Sequence, residues 1–158
     1  MIRSILAVAV CALLGARTSA DDMIVKIVHV ETGKVLAVAD NSEEAGARTL
    51  LAKDGDGEAL QWKLVKDGNF LKIVNRKSGK VLDVFGDEKD EGTQIIIWDE
   101  KDEGTDNQRW SWVGDGKERQ IKSKSSELVL DVDSEGRLVQ KKADEKSKKQ
   151  LWRIEEVK

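Results

Sequence analysis

The chain repeats itself three times, and this limits the folds open to it more than any other feature. The string Val35-Leu36-Ala37-Val38 returns as Val81-Leu82-Asp83-Val84 and again as Val129-Leu130-Asp131-Val132, at offsets of 46 and 48 residues. A second marker closes each unit: Gln61-Trp62, Gln108-Arg109-Trp110 and Gln150-Leu151-Trp152, with tryptophans 48 and 42 apart. The lead-ins agree as well, KIVHVETGKVL beside KIVNRKSGKVL, with a looser QIKSKSSELVL third. A repeat of this length makes each unit one supersecondary piece that buries its apolar face only against its neighbours. Three units of about 45 residues, at about 24–65, 66–113 and 114–158, take up nearly all of the chain beyond residue 23.

Each unit reads as short strands joined by turns. Apolar and polar residues alternate in Leu71–Asn75 and Trp110–Val113, and glycine-bearing strings such as KDGN, KSGK and GDGK punctuate the runs. No stretch carries a helical period and proline is absent, so the class is all-β. Propellers usually need at least four blades and solenoids need capped ends. A closed arrangement of three suits this chain better.

The first twenty residues stand apart. Arg3 gives a basic start, Ile5–Ala16 is uncharged and apolar, and Thr18-Ser19-Ala20 offers small residues before Asp21. That is the layout of a secretory signal peptide, too short for a membrane span. Val10 before Cys11, where a lipoprotein signal wants a small residue, argues against a lipid anchor. The expectation is an exported, soluble domain at 21–158 that does not insert into a membrane. Beyond residue 20 there is no cysteine, and 25 basic side chains face 30 acidic ones, a net charge near −5. The two signs are interleaved, which excludes a polybasic surface for nucleic acid or anionic lipid.

The tripeptides at Gln108–Trp110 and Gln150–Trp152, with the degraded Leu60-Gln61-Trp62, resemble the QxW repeat of ricin B-type lectin domains. The strings SGKVLDV and GTQIIIWD…DNQRW in the middle unit do so too, and the likeness covers residues 24–158. It implies a β-trefoil whose commonest activity is binding carbohydrate. In that family the tryptophan of QxW belongs to the core. The sugar pocket uses an Asp in the LDV string, an aromatic on the following strand and an Asn-Gln pair before the closing Trp. Here those are Asp83, Trp98, Asn107 and Gln108, all from the middle unit. One departure stands out: a polar residue, often Gln, is common two places before the aromatic, and this chain has Ile96.

The residues support the same sorting without the resemblance. Trp62, Trp110 and Trp152 recur in every unit, and Trp112 lies on the same strand face as Trp110, matching Leu64 and Ile154. All four are expected in the core. Trp98 has no aromatic counterpart. If Ile95 and Ile97 point inward, alternation turns Ile96 and Trp98 outward. There Trp98 serves either as a platform for a ligand or as cover for the barrel wall. Asp83 shares that outward face, and Asn107 and Gln108 can return over it. An indole supports the apolar C–H face of a pyranose, a carboxylate accepts from two adjacent hydroxyls, and an amide both donates and accepts. Asp83→Ala is therefore expected to remove binding and leave the melting temperature nearly unchanged. The outer units lack the set: unit one has Ala37 and Ala59-Leu60, and unit three keeps Asp131 and Gln150 but has Lys149 and no aromatic. Asp131 reads as a remnant or a turn anchor.

Other signals carry less. The string DEKDEGT occurs at Asp87–Thr93 and again at Asp99–Thr105, and it reads as charged turns flanking one strand. An EF-hand fails there, because Lys89 and Lys101 fall at a ligand place and Trp98 and Trp110 where the bidentate Glu belongs. His29 is the only histidine and has no cysteine or nucleophile motif to pair with, so neither a metal, a cofactor nor a triad is expected. A trefoil's shallow pockets are poor places to raise a carboxyl pKa for hydrolysis, and the chain is not expected to be an enzyme. The expectation is a secreted lectin with one galactose-like site in the middle unit. The alternative is a trefoil with decayed sugar sites that binds a protein partner or inhibits an enzyme.

Overall fold

A computed structural model describes residues 23–158, and the candidate export segment at 1–20 lies outside the described residues. Each unit supplies four strands: β1 Met23–His29, β2 Val35–Val38, β3 Thr49–Ala52 and β4 Trp62–Asp67, then β5 Phe70–Asn75, β6 Val81–Val84, β7 Ile95–Trp98 and β8 Trp110–Val113, then β9 Gln120–Ser123, β10 Val129–Val132, β11 Leu138–Lys141 and β12 Trp152–Glu156. The first and last strand of each unit form a barrel. β1 pairs with β12 and β4, β4 with β5, β5 with β8 and β8 with β9. The Arg119–Trp152 bridge at the start of β9 closes the ring onto β12. Closure removes the exposed strand edges that an open sheet would offer to other chains. The two middle strands of each unit form hairpins, β2–β3, β6–β7 and β10–β11. Bridges Arg48–Ile96, Gln94–Val139 and Leu50–Arg137 tie those three hairpins to one another. This is a β-trefoil.

The lead-in strings become three equivalent turns. His29, Asn75 and Ser123 each donate their backbone N–H to the carbonyl five residues on, at Lys34, Lys80 and Leu128. The turn needs a residue in the left-handed region, supplied by Gly33 and Gly79 at φ of 69° and 71°. Unit three places Glu127 there at φ 62°, which is where its lead-in diverges from the other two. His29 occupies the place of Asn75. The histidine Nε2 bonds the Lys149 carbonyl at 3.0 Å, as the Asn75 amide bonds the Ala59 carbonyl at 3.1 Å. Its Nδ1 meets the Thr32 hydroxyl at 2.9 Å, and the wholly buried ring serves as a structural polar group.

Alternation decides the core. Val25, Ile27, Leu36, Ile73, Leu82, Val84, Ile95, Ile97, Ile121 and Leu130 meet around Trp62, Trp110 and Trp152, all buried. Each of these tryptophans also donates its indole N–H to the carbonyl of the leucine in its own unit's VL string: Trp62 to Leu36 at 2.9 Å, Trp110 to Leu82 at 3.0 Å and Trp152 to Leu130 at 3.3 Å. The two sequence markers are thus the two ends of one recurring contact. Trp112 is only partly buried; it packs on the core from its edge, beside Leu64 and Ile154, with the Arg119 guanidinium 4.8 Å over its ring. Among the described residues no helix is long and apolar enough to cross a membrane. Single turns of 3-10 helix at Glu58–Leu60, Asp106–Gln108 and Lys148–Gln150 precede the closing tryptophans. Three-residue turns are too short to leave a period in a sequence, and the strand pattern alone does not reveal them.

Candidate functional site

In the middle unit β6 and β7 pair so that Asp83 lies opposite Ile96 and Val81 opposite Trp98. Leu82, Val84, Ile95 and Ile97 face the core, so Asp83, Ile96 and Trp98 share the other face. The 3-10 turn Asp106–Gln108 then brings two amides onto the carboxylate. Asn107 Nδ2 donates to Asp83 Oδ1 at 3.0 Å, and Gln108 Nε2 donates to Asp83 Oδ2 at 2.8 Å.

These three residues form one small network under a shallow pocket of about 250 Å³. Asp83 and Asn107 line this pocket together with Gly86, Ile96 and Lys101. Two aromatics frame the opening, Trp98 at 39% exposed and Phe85 at 47%. Gln108 does not reach the pocket. It is wholly buried behind Asp83, where its Nε2 also donates to the Asp99 carbonyl at 2.9 Å and its Oε1 accepts from the Lys101 backbone N–H at 3.1 Å. The structure therefore brings together Asp83, Trp98 and Asn107 around one pocket and assigns Gln108 to holding Asp83 in place.

Burial is deeper than alternation alone suggests. Ile96 faces away from the core, yet it is only 2% exposed, because unit one bridges to it through Arg48 and the pocket walls cover it. Trp98 is propped from the same side. Gly46 donates its N–H to the Ile97 carbonyl at 2.8 Å, and a Cβ on Gly46 would lie 3.4 Å from the Trp98 ring. Asp83 itself is 2% exposed. Desolvation pushes its carboxyl above the ordinary 3.8, opposed by the Gln108 hydrogen bond and the Lys101 charge and reinforced by the like charge of Asp87. A residue so placed holds local structure as well as facing a pocket, so the expected indifference of stability to its removal does not stand.

Three pocket residues escape a reading of the strands alone: Phe85, Gly86 and Lys101. Phe85 follows the LDV string directly, and the turn Phe85–Asp87 swings it over the pocket through left-handed Gly86 and Asp87 at φ of 63° and 55°. Lys101 comes from the second DEKDEGT copy, and the Asp99 carbonyl that Gln108 bonds comes from the same copy. The first copy is latched to unit three by buried Gln140, whose amide donates to the Glu88 and Asp90 carbonyls at 3.0 Å each. The echo is thus part of the site's frame.

The outer units carry different side chains at the matching places. Ala37 and Ala59 in unit one are buried and carry no polar side chain. In unit three Gln150 Nε2 still donates to Asp131 Oδ2 at 2.9 Å, while Asp131 Oδ1 accepts the Val132 backbone N–H at 2.6 Å. Asp131 is an internal anchor there. A depression of about 330 Å³ between units one and three includes His29, Lys34, Asp133 and Lys149 and leaves Asp131 out. Its Asp133 carboxylate is occupied by the backbone N–H groups of Glu135 and Arg137 and by the Arg137 guanidinium. Among the described residues no three His, Cys, Asp or Glu side chains gather as a metal would require.

Comparison with known proteins agrees with this architecture. Two family profiles match, one described as ricin-type beta-trefoil lectin domain-like over residues 14–98 and one as ricin-type beta-trefoil lectin domain over residues 69–158. No curated protein matches in sequence. Among solved structures, the designed three-fold symmetric protein ThreeFoil is 29% identical with a TM-score of 0.78, over 83% of this chain and 96% of its own. An exo-β-1,3-galactanase from Clostridium thermocellum is 31% identical with a TM-score of 0.79, over 87% of this chain but only 31% of its own length. Polyporus squamosus lectin, solved with Neu5Acα2-6Galβ1-4GlcNAc, shares the fold at 22% identity and a TM-score of 0.73, over 85% of this chain and 49% of its own. A three-unit trefoil, closed by recurring tryptophans and spanned by these two profiles, belongs to the ricin-type β-trefoil lectin domain family.

Proposed function

We propose that the protein is a carbohydrate-binding lectin, without enzymatic activity, that holds one galactose-type sugar in the pocket of its middle unit. The observation that carries this reading is the Asp83 carboxylate, fixed by Asn107 and Gln108 beside an exposed Trp98. A sugar stacks its C–H face on the indole and donates hydroxyl hydrogens to the carboxylate's remaining lone pairs. The galactanase that shares the fold acts, by its name, on a galactan, which favours galactose over other hexoses as the first sugar to try. Residues 1–20 have the layout of an export signal, so the proposed place of action is outside the cytoplasm.

A single shallow pocket should bind a monosaccharide with a dissociation constant of about 0.1–10 mM. Titration with a galactoside should shift or quench tryptophan fluorescence, and calorimetry should give one sugar per chain. Trp98→Ala should abolish the response without unfolding the protein, since the ring stands at the surface. A glycan array with no sugar retained would favour the other reading, in which exposed Phe85 and Trp98 contact a protein partner.

Acidity should weaken binding early. Asp83 accepts hydroxyl hydrogens more strongly as the carboxylate than as the protonated acid, and burial raises its pKa above the ordinary 3.8. Affinity should therefore fall as pH drops through a value above 3.8. Stability runs the other way for this group. The folded chain keeps the Asp83 proton to a higher pH than the unfolded chain, so its contribution is greatest below the unfolded pKa and declines as pH rises to the folded one. Affinity that stayed constant down to about pH 4 would remove Asp83 as the acceptor.

A further inference from the structure

All three units make the same turn after their second strand, and its contents differ in one informative way. Ala39, Phe85 and Asp133 donate their backbone N–H to the carbonyls of Arg48, Gln94 and Arg137, at 2.8, 3.2 and 2.9 Å. Those three acceptors each bridge to another unit, at Ile96, Val139 and Leu50. Position for position they are equivalent. In unit three the arrangement is complete. Asp133 Oδ1 accepts the backbone N–H groups of Glu135 and Arg137 at 2.9 and 3.0 Å, and its Oδ2 accepts from Arg137 Nε at 2.8 Å. Unit two replaces both partners, with Phe85 and the neutral Gln94. Unit one keeps the arginine, Arg48, and has only the methyl group of Ala39 in the place of the carboxylate.

Nothing in the chain substitutes for that carboxylate. Arg48 Nε is buried with no hydrogen-bond partner, and among the described residues no ion pair or hydrogen bond engages the rest of its side chain. Asp40, Glu43 and Glu44 lie in the same loop and none pairs with it. A guanidinium is always charged, and a buried donor left unpaired costs more than the hydrogen bond itself contributes. Arg48 and Ala39 are only half-buried, so a ligand can reach them. The place also adjoins the pocket. Ile96 is paired with Asp83 on one side and bridged to Arg48 on the other, and partners across an antiparallel ladder point to the same face. Asp83 and Arg48 therefore stand in one row with Ile96 between them, their backbones two strand spacings or about 10 Å apart.

We infer that Arg48 and the turn Ala39–Asn41 form a carboxylate-binding site, where a ligand's carboxylate takes the place that Asp133 fills in unit three. Arg48 Nε donates to one carboxylate oxygen, as Arg137 Nε does to Asp133. The carboxylate comes either from a free small acid or, resting on the sugar-site reading, from an acidic sugar linked to a galactose in the pocket.

The first test follows the Arg48 Nε–H resonance by NMR while sodium formate replaces sodium chloride at constant ionic strength. In the wild type the resonance should shift with formate and saturate. Ala39→Asp, which supplies the carboxylate from within, should shift it without formate, abolish the formate response and raise the melting temperature. Should that variant not fold, Arg48→Gln takes its place: formate should raise the melting temperature of the wild type over chloride and not that of the variant. The second test compares a glucuronyl-galactose disaccharide with its neutral glucosyl counterpart. The acidic one should bind the wild type about tenfold tighter, the gain from one charge-assisted hydrogen bond. That advantage should vanish in Ala39→Asp while affinity for the neutral disaccharide stays the same. A formate response without the advantage assigns the site to free carboxylates. The inference is overturned if formate and chloride act alike on the Arg48 Nε–H, or if Ala39→Asp leaves the formate response intact. A chain that answers formate but binds neither disaccharide keeps the carboxylate site and sinks the sugar-site reading alone.

Discussion

Trp110→Ala should lower the stability of the fold by about 3–5 kcal/mol, the range for truncating a large core side chain. Trp110 is fully buried against core residues from all three units, and its strand pairs with both β5 and β9. The substitution leaves a cavity that a closed barrel cannot easily collapse, because every wall strand is held by two neighbours. It also strands the Leu82 carbonyl, which accepts the indole N–H at 3.0 Å. That carbonyl belongs to the residue before Asp83, so sugar binding should fail together with the fold. For a domain of this size the loss corresponds to roughly 10–20 °C in melting temperature. Thermal and urea denaturation would check it, with Trp152→Ala as the matched control in unit three. A loss below about 1 kcal/mol in both variants would mean that these tryptophans are not what closes the units.

Asp83→Ala should abolish galactoside binding, a fall in affinity of at least about a hundredfold, because it removes the acceptor of the sugar's hydroxyls. Its effect on stability should be smaller but measurable, about 1–2 kcal/mol. Two opposing terms set that size. Without the carboxylate, one amide hydrogen of Asn107 and one of Gln108 lose their partner in a buried place. On the other side, burial disfavours the ionised carboxyl, so removing it relieves part of a desolvation cost. Melting curves and calorimetry on the same preparation separate the two effects. Asp83→Ala that melts like Trp110→Ala would make the Asp83 network chiefly a structural clasp. Binding retained in a folded Asp83→Ala protein would move the site elsewhere.

The strand content, the three-fold closure and the core followed from residues that recur. Position 36, position 82 and position 130 are all leucine, and each accepts from the closing tryptophan of its unit. A repeated residue in a repeated unit has the same neighbours each time, so the pattern carries its own contact map. The same reasoning placed Asp83, Trp98, Asn107 and Gln108 on one unit, because the other two lack a complete set. Where the residues do not recur, the pattern gave less. Phe85 has Ala39 and Asp133 in its place elsewhere, and Lys101 belongs to a string read as a solvated turn.

By itself the sequence determined the all-β class, the three units, the core tryptophans and the unit that carries the candidate site. Each of these depends on periodicity and on which face of a strand a side chain takes, and both are local properties. Only the tertiary structure decided what covers each face and which hydrogen bonds are already spent. Ile96 turns outward and is nonetheless buried, because Arg48 bridges to it from unit one. Gly46 of that unit backs the Trp98 ring, and Gln140 of unit three holds the loop that follows Phe85. Gln108, whose motif marks a ligand contact, has every amide group engaged inside the protein. Alternation says which way a side chain points. Whether it meets solvent, a ligand or another unit depends on residues dozens of positions away, and only closure of the barrel brings those into contact.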